Sequence, residues 1–344
     1  MRVFRGLRHP DLAPSSALTI GNFDGVHRGH QAMLALLVSE ATHRGLPPTV
    51  MSFEPNPRDY FAARAGKPET APARIAPLRD KLGELARCGI QQVVILRFDA
   101  ALAAQTPEAF IDRMLVEGLG VGYVLVGDDF RFGARRAGDY AMLDAAGASR
   151  GFDVARMMSY EVHGHRVSSS AVRAALAAGD MKQVEALLGR PYSVSGHVIH
   201  GAKLGRALGE TSGGRGDGFR TLNLRFPHPR PAAMGVFVAR VHGLVDVPLD
   251  GVASLGRRPT IDDSGRVLLE THVFDWPPGL GSEGGYGKLV RVELLAKLRD
   301  EARYDSLEAL AGAIRGDAEA AHAWLAAEAK LHAATGRQTT RDRI

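Results

Sequence analysis

Residues 17–30 read Ala17-Leu18-Thr19-Ile20, Gly21-Asn22-Phe23-Asp24-Gly25, Val26-His27-Arg28-Gly29-His30, and the helix-periodic segment Gln31 to Glu40 follows directly. A short apolar run, a glycine-rich turn and a periodic segment in that order describe a strand that feeds a helix through a tight turn. Gly21, Gly25 and Gly29 supply positions where a Cβ would collide with a closely approaching ligand. The unpaired amides and dipole of the helix N-terminus favour phosphate at that spot. Imidazole N–H groups from His27 and His30 then stabilise charge developing on an α-phosphate during displacement, a task that needs no protein nucleophile. Asn22 or Asp24 is placed to orient them or a metal. His-x-x-His is also the spacing of a metal pair, but no third or fourth Cys, His or Glu stands nearby at zinc-like spacing. Treating the histidines as ordinary helix-start residues leaves the glycines and the strand unexplained.

Apolar runs at Ala17 to Ile20, Thr49 to Phe53, Val93 to Leu96, Tyr123 to Val126 and Val154 to Met157 alternate with helical segments at His30 to Glu40, Leu78 to Cys88 and Pro107 to Gly118. Thr106 is the expected N-cap of the last, with Pro107 at N1. This alternation predicts an α/β unit with an open parallel sheet and helices on both faces. Ligands of such sheets bind beyond the carboxyl ends of the strands, where the His-x-x-His turn and the loop Gly127 to Gly133 both fall. Ser168, Ser169 and Ser170 precede the helical run Ala171 to Ala178, and Arg173 falls on its first turn. Capping alone accounts for the serines. Hydroxyls, helix amides and an arginine together also make a second phosphate clamp, the reading favoured by the His-x-x-His turn in the same chain.

The pattern changes near Gly189-Arg190-Pro191. Shorter strand candidates follow at Tyr192 to Ile199, Gly235 to Val241, Val267 to Phe274 and Leu289 to Leu295, broken by Gly and Pro turns. They read as a small antiparallel β-barrel. A helix over Ser306 to Ala327, with Leu307, Leu310, Ile314, Ala321 and Leu325 on one face, closes the pattern. The expected organisation is a first domain over 1–186, a second over 187–333 and a disordered tail over 334–344.

A chain of 344 residues is long for one core, and 45% hydrophobic content supports well-buried ones. The single cysteine, Cys88, forbids an internal disulfide and suits a reducing cytoplasm. No segment approaches the roughly 20 apolar residues of a membrane span, and the first 14 residues lack a signal-peptide core. A cytoplasmic protein with no membrane partner is expected. The formal charge of +5 is spread without a basic stripe or interleaved aromatics. It points to anionic small substrates rather than nucleic acid. Oligomeric state is not legible.

The run from Gly21 to His30 resembles the first signature of the nucleotidyltransferase superfamily, and its Asn-Phe-Asp-Gly form resembles the prokaryotic bifunctional riboflavin kinase/FAD synthetases. Phe53-Glu54-Pro55-Asn56-Pro57-Arg58 resembles that family's Phe-Asp-Pro-His-Pro segment, with Asn56 in place of the histidine. Gly127-Asp128-Asp129-Phe130-Arg131-Phe132-Gly133, followed by Arg136-Ala137-Gly138-Asp139, is similar to its flavin-contacting loop. Val167-Ser168-Ser169-Ser170-Ala171-Val172-Arg173 is similar to the Ile-Ser-Ser-Thr-x-x-Arg signature that holds the triphosphate.

The second half resembles the riboflavin kinase domain through Gly201 to Gly209, Thr221-Leu222-Asn223-Leu224, Gly251 to Thr260, Leu269 to Asp275 and Leu298-Arg299-Asp300-Glu301. In the family's Pro-Thr-Ala-Asn motif, Thr and Asn bind Mg-ATP, which corresponds to Thr221 and Asn223 as metal ligands. Here Arg220 replaces the proline, Leu222 replaces the alanine, and Glu210 to Gly218 reads as an insertion beside the nucleotide flap. Residues two apart on a strand still share a face. Spacing alone leaves Glu270 open between an outward-facing strand residue and a general base.

The resemblance implies a Rossmann-like nucleotidyltransferase domain followed by an antiparallel β-barrel riboflavin kinase-like domain with a C-terminal helix. It implies phosphorylation of riboflavin to FMN and adenylylation of FMN to FAD, with ATP and Mg²⁺. His27, His30 and Glu270 become the catalytic residues. ATP contacts fall to Gly21, Asn22, Phe23, Asp24, Gly29, Ser168, Ser169, Arg173, Gly201, Gly205 and Arg206, and flavin contacts to Asn56, Asp129 and Arg299. The rival expectation keeps only FMN adenylylation and makes the barrel a flavin-binding regulatory module.

Overall fold

The computed structural model describes residues 1–158, 160–162, 165–200, 221–257, 267–281 and 283–334. Gly201, Gly205, Arg206, the insertion Glu210 to Gly218 and Arg220 lie outside the described residues, as do Arg258 to Thr260 and all but the first residue of the 334–344 tail. The chain divides into two compact units, Met1–Val172 and Arg173–Ile344.

The first unit is built on a six-stranded sheet of β1 (Arg2–Arg5), β2 (Ser16–Ile20), β3 (Pro48–Glu54), β4 (Gln92–Arg97), β5 (Val121–Gly127) and β6 (Asp153–Met157). The spatial order is β1-β4-β3-β2-β5-β6 and every pairing is parallel. A parallel sheet covered on both faces reads as continuous apolar strands, and all five residues of β2 are buried. Two separate apolar clusters form its two sides, one around Leu18, Met51, Leu115, Val124 and Leu143, the other around Ala17, Leu34, Leu37, Val50 and Leu125. Successive strands step outward from β2 through β3 to β4, and the chain then returns to the far side of β2 as β5. This reversal makes the carboxyl ends of β2 and β5 the switch point where α/β sheets bind ligands.

Helices α1 (Arg28–Arg44), α2 (Pro57–Arg64) and α3 (Leu78–Arg87) follow the first strands. Gly45 ends α1 in the left-handed conformation at φ 65°, as C-cap glycines do. The segment 107–119 is continuous helix with a π-helical middle, Ile111–Val116, and Thr106 caps it by accepting from the Ala109 N–H. Two details differ from the sequence expectation. β1 is an edge strand of four residues with only Phe4 buried, so it carries too weak an apolar pattern to be read. The helix expected from Ala171 starts at Ser169, so Ser168 alone is the cap, its Oγ accepting from the Ala171 N–H at 3.2 Å.

A two-stranded ribbon, β7 (Glu161–Val162) with β8 (His165–Arg166), belongs to the first unit. The second unit holds the antiparallel sheet of β9 (Tyr192–His197), β10 (Thr221–Phe226), β11 (Gly235–His242), β12 (Leu249–Arg257), β13 (Val267–Val273) and β14 (Leu289–Arg299) in the order β10-β13-β12-β11-β14-β9. A bridge between Ile199 and Asn223, with the Ile199 N–H donating to the Asn223 carbonyl at 2.8 Å, ties the two ends together and nearly closes the barrel. Closure hides the edge amides that an open sheet would expose. β12 has no strict alternation and four small residues, Gly251, Ala253, Ser254 and Gly256, which hid it from the periodicity reading. The C-terminal helix Leu307–Ala334 packs on β11, β12 and β14. Arg299 holds it through a bidentate pair to Asp317 at 2.7 and 2.6 Å.

Gly25 and Gly45 both adopt left-handed backbone, but a Cβ on Gly25 would stand 2.7 Å from Ile75 Cγ2 whereas one on Gly45 would meet nothing within 4 Å. Gly25→Ala therefore costs about 2–4 kcal/mol from strain plus overpacking, and Gly45→Ala about 1 kcal/mol from strain alone. Urea denaturation of the two variants measures the difference.

Candidate active sites

The turn after β2 is strained and held from several directions. Phe23 and Val26 have φ of 48° and 40°, values that a bulky or β-branched residue adopts only when its surroundings impose them. The buried Asp24 carboxylate accepts the main-chain N–H groups of Ile75 and Ala76 at 3.1–3.2 Å. Gln31 Nε2 donates to the Val26 carbonyl at 2.8 Å and Ser169 Oγ to the Asp24 carbonyl at 3.3 Å. Lys81 Nζ donates to the Asn22 carbonyl at 3.3 Å. Asp24 is thus occupied in shaping the turn.

His27 is the N-cap of α1, and its Nδ1 accepts the His30 main-chain N–H at 3.3 Å. In the neutral ring this places the proton on Nε2, which becomes the donor. The His27 and His30 rings stack with centroids 3.6 Å apart, and Phe23 lies 4.9 Å from His30 on a tilted plane. The first turn of α1 carries no acidic residue, so nothing on it offsets the positive end of the dipole. A Cβ on Gly29 would stand 3.3 Å from the Val167 carbonyl and from the His27 ring. Gly29 therefore lets this helix start lie against the segment that leads into Ser168 and Ser169. The two predicted phosphate elements of the first unit, the His-x-x-His turn and the serines, are in contact through Ser169 and Asp24. Arg173 lies one turn along the helix from Ser169.

Asn22 Oδ1 and Asn56 Oδ1 are buried without a hydrogen-bond partner among the described residues. Asn56 stands at the N-cap of α2 yet makes no capping bond, which leaves its amide for another acceptor or donor. Asp129 is exposed, and Arg166 stands 3.6 Å from both Asp128 and Asp129. In the same loop Arg131 pairs with Asp139 at 3.0 Å. Asp139 also caps the helix Tyr140–Arg150, and the Met142 N–H holds its carboxyl below the usual range.

Sequence reasoning missed the ion network beneath the turn. Lys81 Nζ reaches Ser52 Oγ at 3.2 Å and Glu54 Oε1 at 3.5 Å, and Arg74 bonds Glu54 at 3.0 Å and Asp59 at 2.5 Å. Burial pushes the Lys81 ammonium toward neutrality, opposed by Glu54. Burial acts the same way on Arg74, but Glu54, Asp59 and Asp24 together raise it. The available signal was Lys81 itself, a charge on the apolar face that Leu78, Leu82 and Leu85 give α3.

In the second unit the barrel brings Thr221, Asn223 and Glu270 together. Asn223 on β10 lies directly opposite Glu270 on β13, and Thr221 opposite His272. Glu270 in turn lies opposite Ser254 on β12. Residues opposite one another in an antiparallel pair share a face, so the rung Asn223, Glu270, Ser254 presents three oxygen-bearing side chains in a row. Asn223 is 4% exposed, and its Oδ1 has no hydrogen-bond partner among the described residues. An orphaned buried amide oxygen beside a carboxylate fits a hard cation such as Mg²⁺, which takes oxygen ligands. No group of three or more His, Cys, Asp or Glu among the described residues could hold a metal. Arg299, expected at the flavin, pairs with Asp317, and Tyr304 lies 5.8 Å from its guanidinium.

A glycine-rich turn with a histidine N-cap at the switch point of a parallel sheet, joined in one chain to a barrel rung of Asn and Glu, fits a two-domain nucleotide-dependent transferase. Models of two families match the chain, FAD synthetase over residues 9–171 and riboflavin kinase over residues 188–325. The bifunctional riboflavin kinase/FMN adenylyltransferase of Escherichia coli (strain K12) is 43% identical over 92% of this chain and 96% of its own length. That of Pseudomonas fluorescens is 42% identical over 96% and 99%, and that of Haemophilus influenzae 40% over 94% and 99%. A crystal structure described as a macrolide-efflux protein from Streptococcus pneumoniae shares the fold with a TM-score of 0.69, at 25% identity over 92% of this chain and 96% of that one. The chain belongs to the bifunctional riboflavin kinase/FMN adenylyltransferase family, and both of the family's enzymatic domains are present. No helix among the described residues is long and apolar enough to cross a membrane.

Asp24→Ala leaves the buried Ile75 and Ala76 amides without their acceptor. It is expected to cost about 2–4 kcal/mol, with Asp24→Asn intermediate, read by urea denaturation and by faster hydrogen exchange at residues 75 and 76.

Proposed function

We propose that the two activities divide between the two units as the two predicted sites do, with riboflavin phosphorylated at the barrel and FMN adenylylated at the turn after β2. The observation that carries the assignment of the turn is the His27 cap, whose Nδ1 accepts the His30 main-chain N–H at 3.3 Å and so leaves Nε2–H of the neutral ring as a donor at the start of the helix. In FAD formation a phosphate oxygen of FMN attacks the α-phosphorus of ATP, and the bond to the bridging oxygen of pyrophosphate breaks. The Nε2–H of His27 and the ring of His30 stabilise the charge that builds on the α-phosphate oxygens. Gly21 and Gly29 admit the phosphates to the main chain, and Asn22 and Phe23 line the nucleotide. Asp24 keeps the turn in shape. Ser168, Ser169 and Arg173 hold the departing pyrophosphate. Asn56 and Asp129 are assigned to the flavin side.

At the barrel, Glu270 accepts the proton of the ribityl 5′-hydroxyl as that oxygen attacks the γ-phosphorus of ATP and ADP leaves. Phosphoryl transfer depends mainly on positioning and charge neutralisation, so a carboxylate held in a rigid rung suffices. Thr221 and Asn223 would hold Mg²⁺, which supplies neutralisation of the phosphate charge when bound. Gly201, Gly205 and Arg206 are assigned to ATP by resemblance to the family. Arg299, braced by Asp317, acts on flavin binding by fixing the wall it belongs to. The match to the riboflavin kinase family over residues 188–325 favours a working kinase over a purely regulatory barrel. The composition and the absence of an apolar spanning helix among the described residues support a cytoplasmic setting.

Assays from riboflavin and from FMN, each with ATP and Mg²⁺, separate the two sites. Glu270→Gln is expected to lower FMN formation by about 10²-fold or more while FAD formation from FMN stays unchanged. His27→Ala is expected to lower FAD formation by about 10²-fold and leave FMN formation intact. Chelation of the divalent cation is expected to stop FMN formation, with recovery on adding Mg²⁺ back. Purified chain that forms neither product overturns the assignment.

A further inference from the structure

The buried lysine beneath the first turn has no part in the mechanism above, yet it is the costliest residue near it. An ammonium removed from water loses several kcal/mol of hydration, which a single ion pair seldom repays in full. A methionine would fill the same volume in a helix face otherwise made of Leu78, Leu82 and Leu85. Lys81 is 3% exposed, and its three contacts are unevenly distributed: the Ser52 hydroxyl, the Glu54 carboxylate and the Asn22 main-chain carbonyl. Only the last belongs to the phosphate turn. Ser52 Oγ is also 3.5 Å from the same carbonyl.

That carbonyl belongs to the peptide between Asn22 and Phe23, and Phe23 is one of the two non-glycine residues of the turn in left-handed backbone. Left-handed backbone at such a residue costs about 1–2 kcal/mol. The relaxed alternative rotates this peptide and turns its carbonyl away. A charged donor under the carbonyl opposes that rotation. The same ammonium touches Glu54, the residue just before the Pro55-Asn56-Pro57 segment, so one group ties together the two segments whose asparagine oxygens, Asn22 Oδ1 and Asn56 Oδ1, are buried and without hydrogen-bond partners.

We propose that Lys81 is a positioning residue for adenylyl transfer: its Nζ locks the Asn22–Phe23 peptide and couples the first turn to the Glu54–Asn56 segment, holding both asparagines in register for the nucleotide and the flavin. The proposal rests on the assignment of FMN adenylylation to this turn. The groups that act on Lys81 are Glu54 from β3, Arg74 from the segment before α3, and Asp24 from the turn itself, with Asp59 reaching the cluster through Arg74. Because burial lowers the Lys81 pKa, it disfavours the charged form. Stability therefore rises with pH between the folded and unfolded pKa values, while the lock on the Asn22 carbonyl is lost over the same interval.

The test compares wild type, Lys81→Met and the double variant Lys81→Met/Glu54→Gln as full chains, assaying FAD formation from FMN and FMN formation from riboflavin across pH. In both variants kcat for FAD formation is expected to fall tenfold or more with riboflavin phosphorylation within twofold of wild type. The wild-type kcat is expected to decline on the alkaline side, below the ordinary range of lysine, and that decline is expected to vanish in both variants. The double variant also removes the Glu54 charge, which in Lys81→Met keeps Arg74 as an ion-pair partner but faces an apolar side chain in place of the ammonium, and keeps the experiment readable if Lys81→Met alone fails to fold. Unchanged FAD turnover in a folded variant, or an alkaline decline that survives the substitution, overturns the proposal. A wild-type chain that makes no FAD from FMN overturns instead the assignment of the turn, a separate failure.

Discussion

The contact between the Asp24 carboxylate and the amides of Ile75 and Ala76 is the constraint on which the first unit's chemistry depends. The sheet reverses its strand order at β2, so the chain leaving that strand enters an open crevice with no neighbouring strand to hold it. A glycine-rich turn in that crevice would be mobile on its own, since its main-chain groups have no ladder to join. Asp24 anchors it from one side, Gln31 and Ser169 tie two of its carbonyls, and Lys81 reaches it from below. The strain at Phe23 and Val26 is the visible cost of this shape. What the turn obtains is a fixed row of amides and a His27 ring whose tautomer is set by the His30 N–H.

The second unit solves a different problem with the same economy. A barrel has no switch-point crevice, and two of the residues proposed for its chemistry, Asn223 and Glu270, lie on a rung where three strands line up. β10, β13 and β12 bring Asn223, Glu270 and Ser254 side by side although they are far apart in the chain. Register alone does this, because a slip by one residue would move every one of these side chains to the other face. The bridge from Ile199 to Asn223 fastens the position of β10 at the closing seam, at the residue whose buried amide oxygen has no hydrogen-bond partner among the described residues.

Much of this was legible in the order of residue types. The four inner parallel strands, largely buried, and the half-exposed edge strand β6 appear as apolar runs, the helices between them as periodic segments, and the turn after β2 as glycines and histidines between the two. β1 and β12 escaped because an exposed edge strand and a strand rich in small residues carry little alternation. The start of the helix carrying Arg173 lies two residues earlier than expected because serine serves equally as a cap and as a first helical residue. Arg299 was read toward a ligand, and the structure shows it bound to Asp317, a residue 18 positions away on a helix whose docking the local sequence does not specify.

The sequence by itself determined the two-part plan, the strand–turn–helix after β2 and the family, because these rest on local spacing: glycines where backbone must bend, imidazoles three apart, hydroxyls before a helix. Only the tertiary structure decided which charged groups meet one another. Asp24 proved to be an anchor for Ile75 and Ala76, and Lys81, Arg74, Glu54 and Asp59 proved to be one buried network. Ion pairs of this kind join residues from separate strands and helices, and their partners are chosen by packing and burial, quantities that no linear spacing encodes.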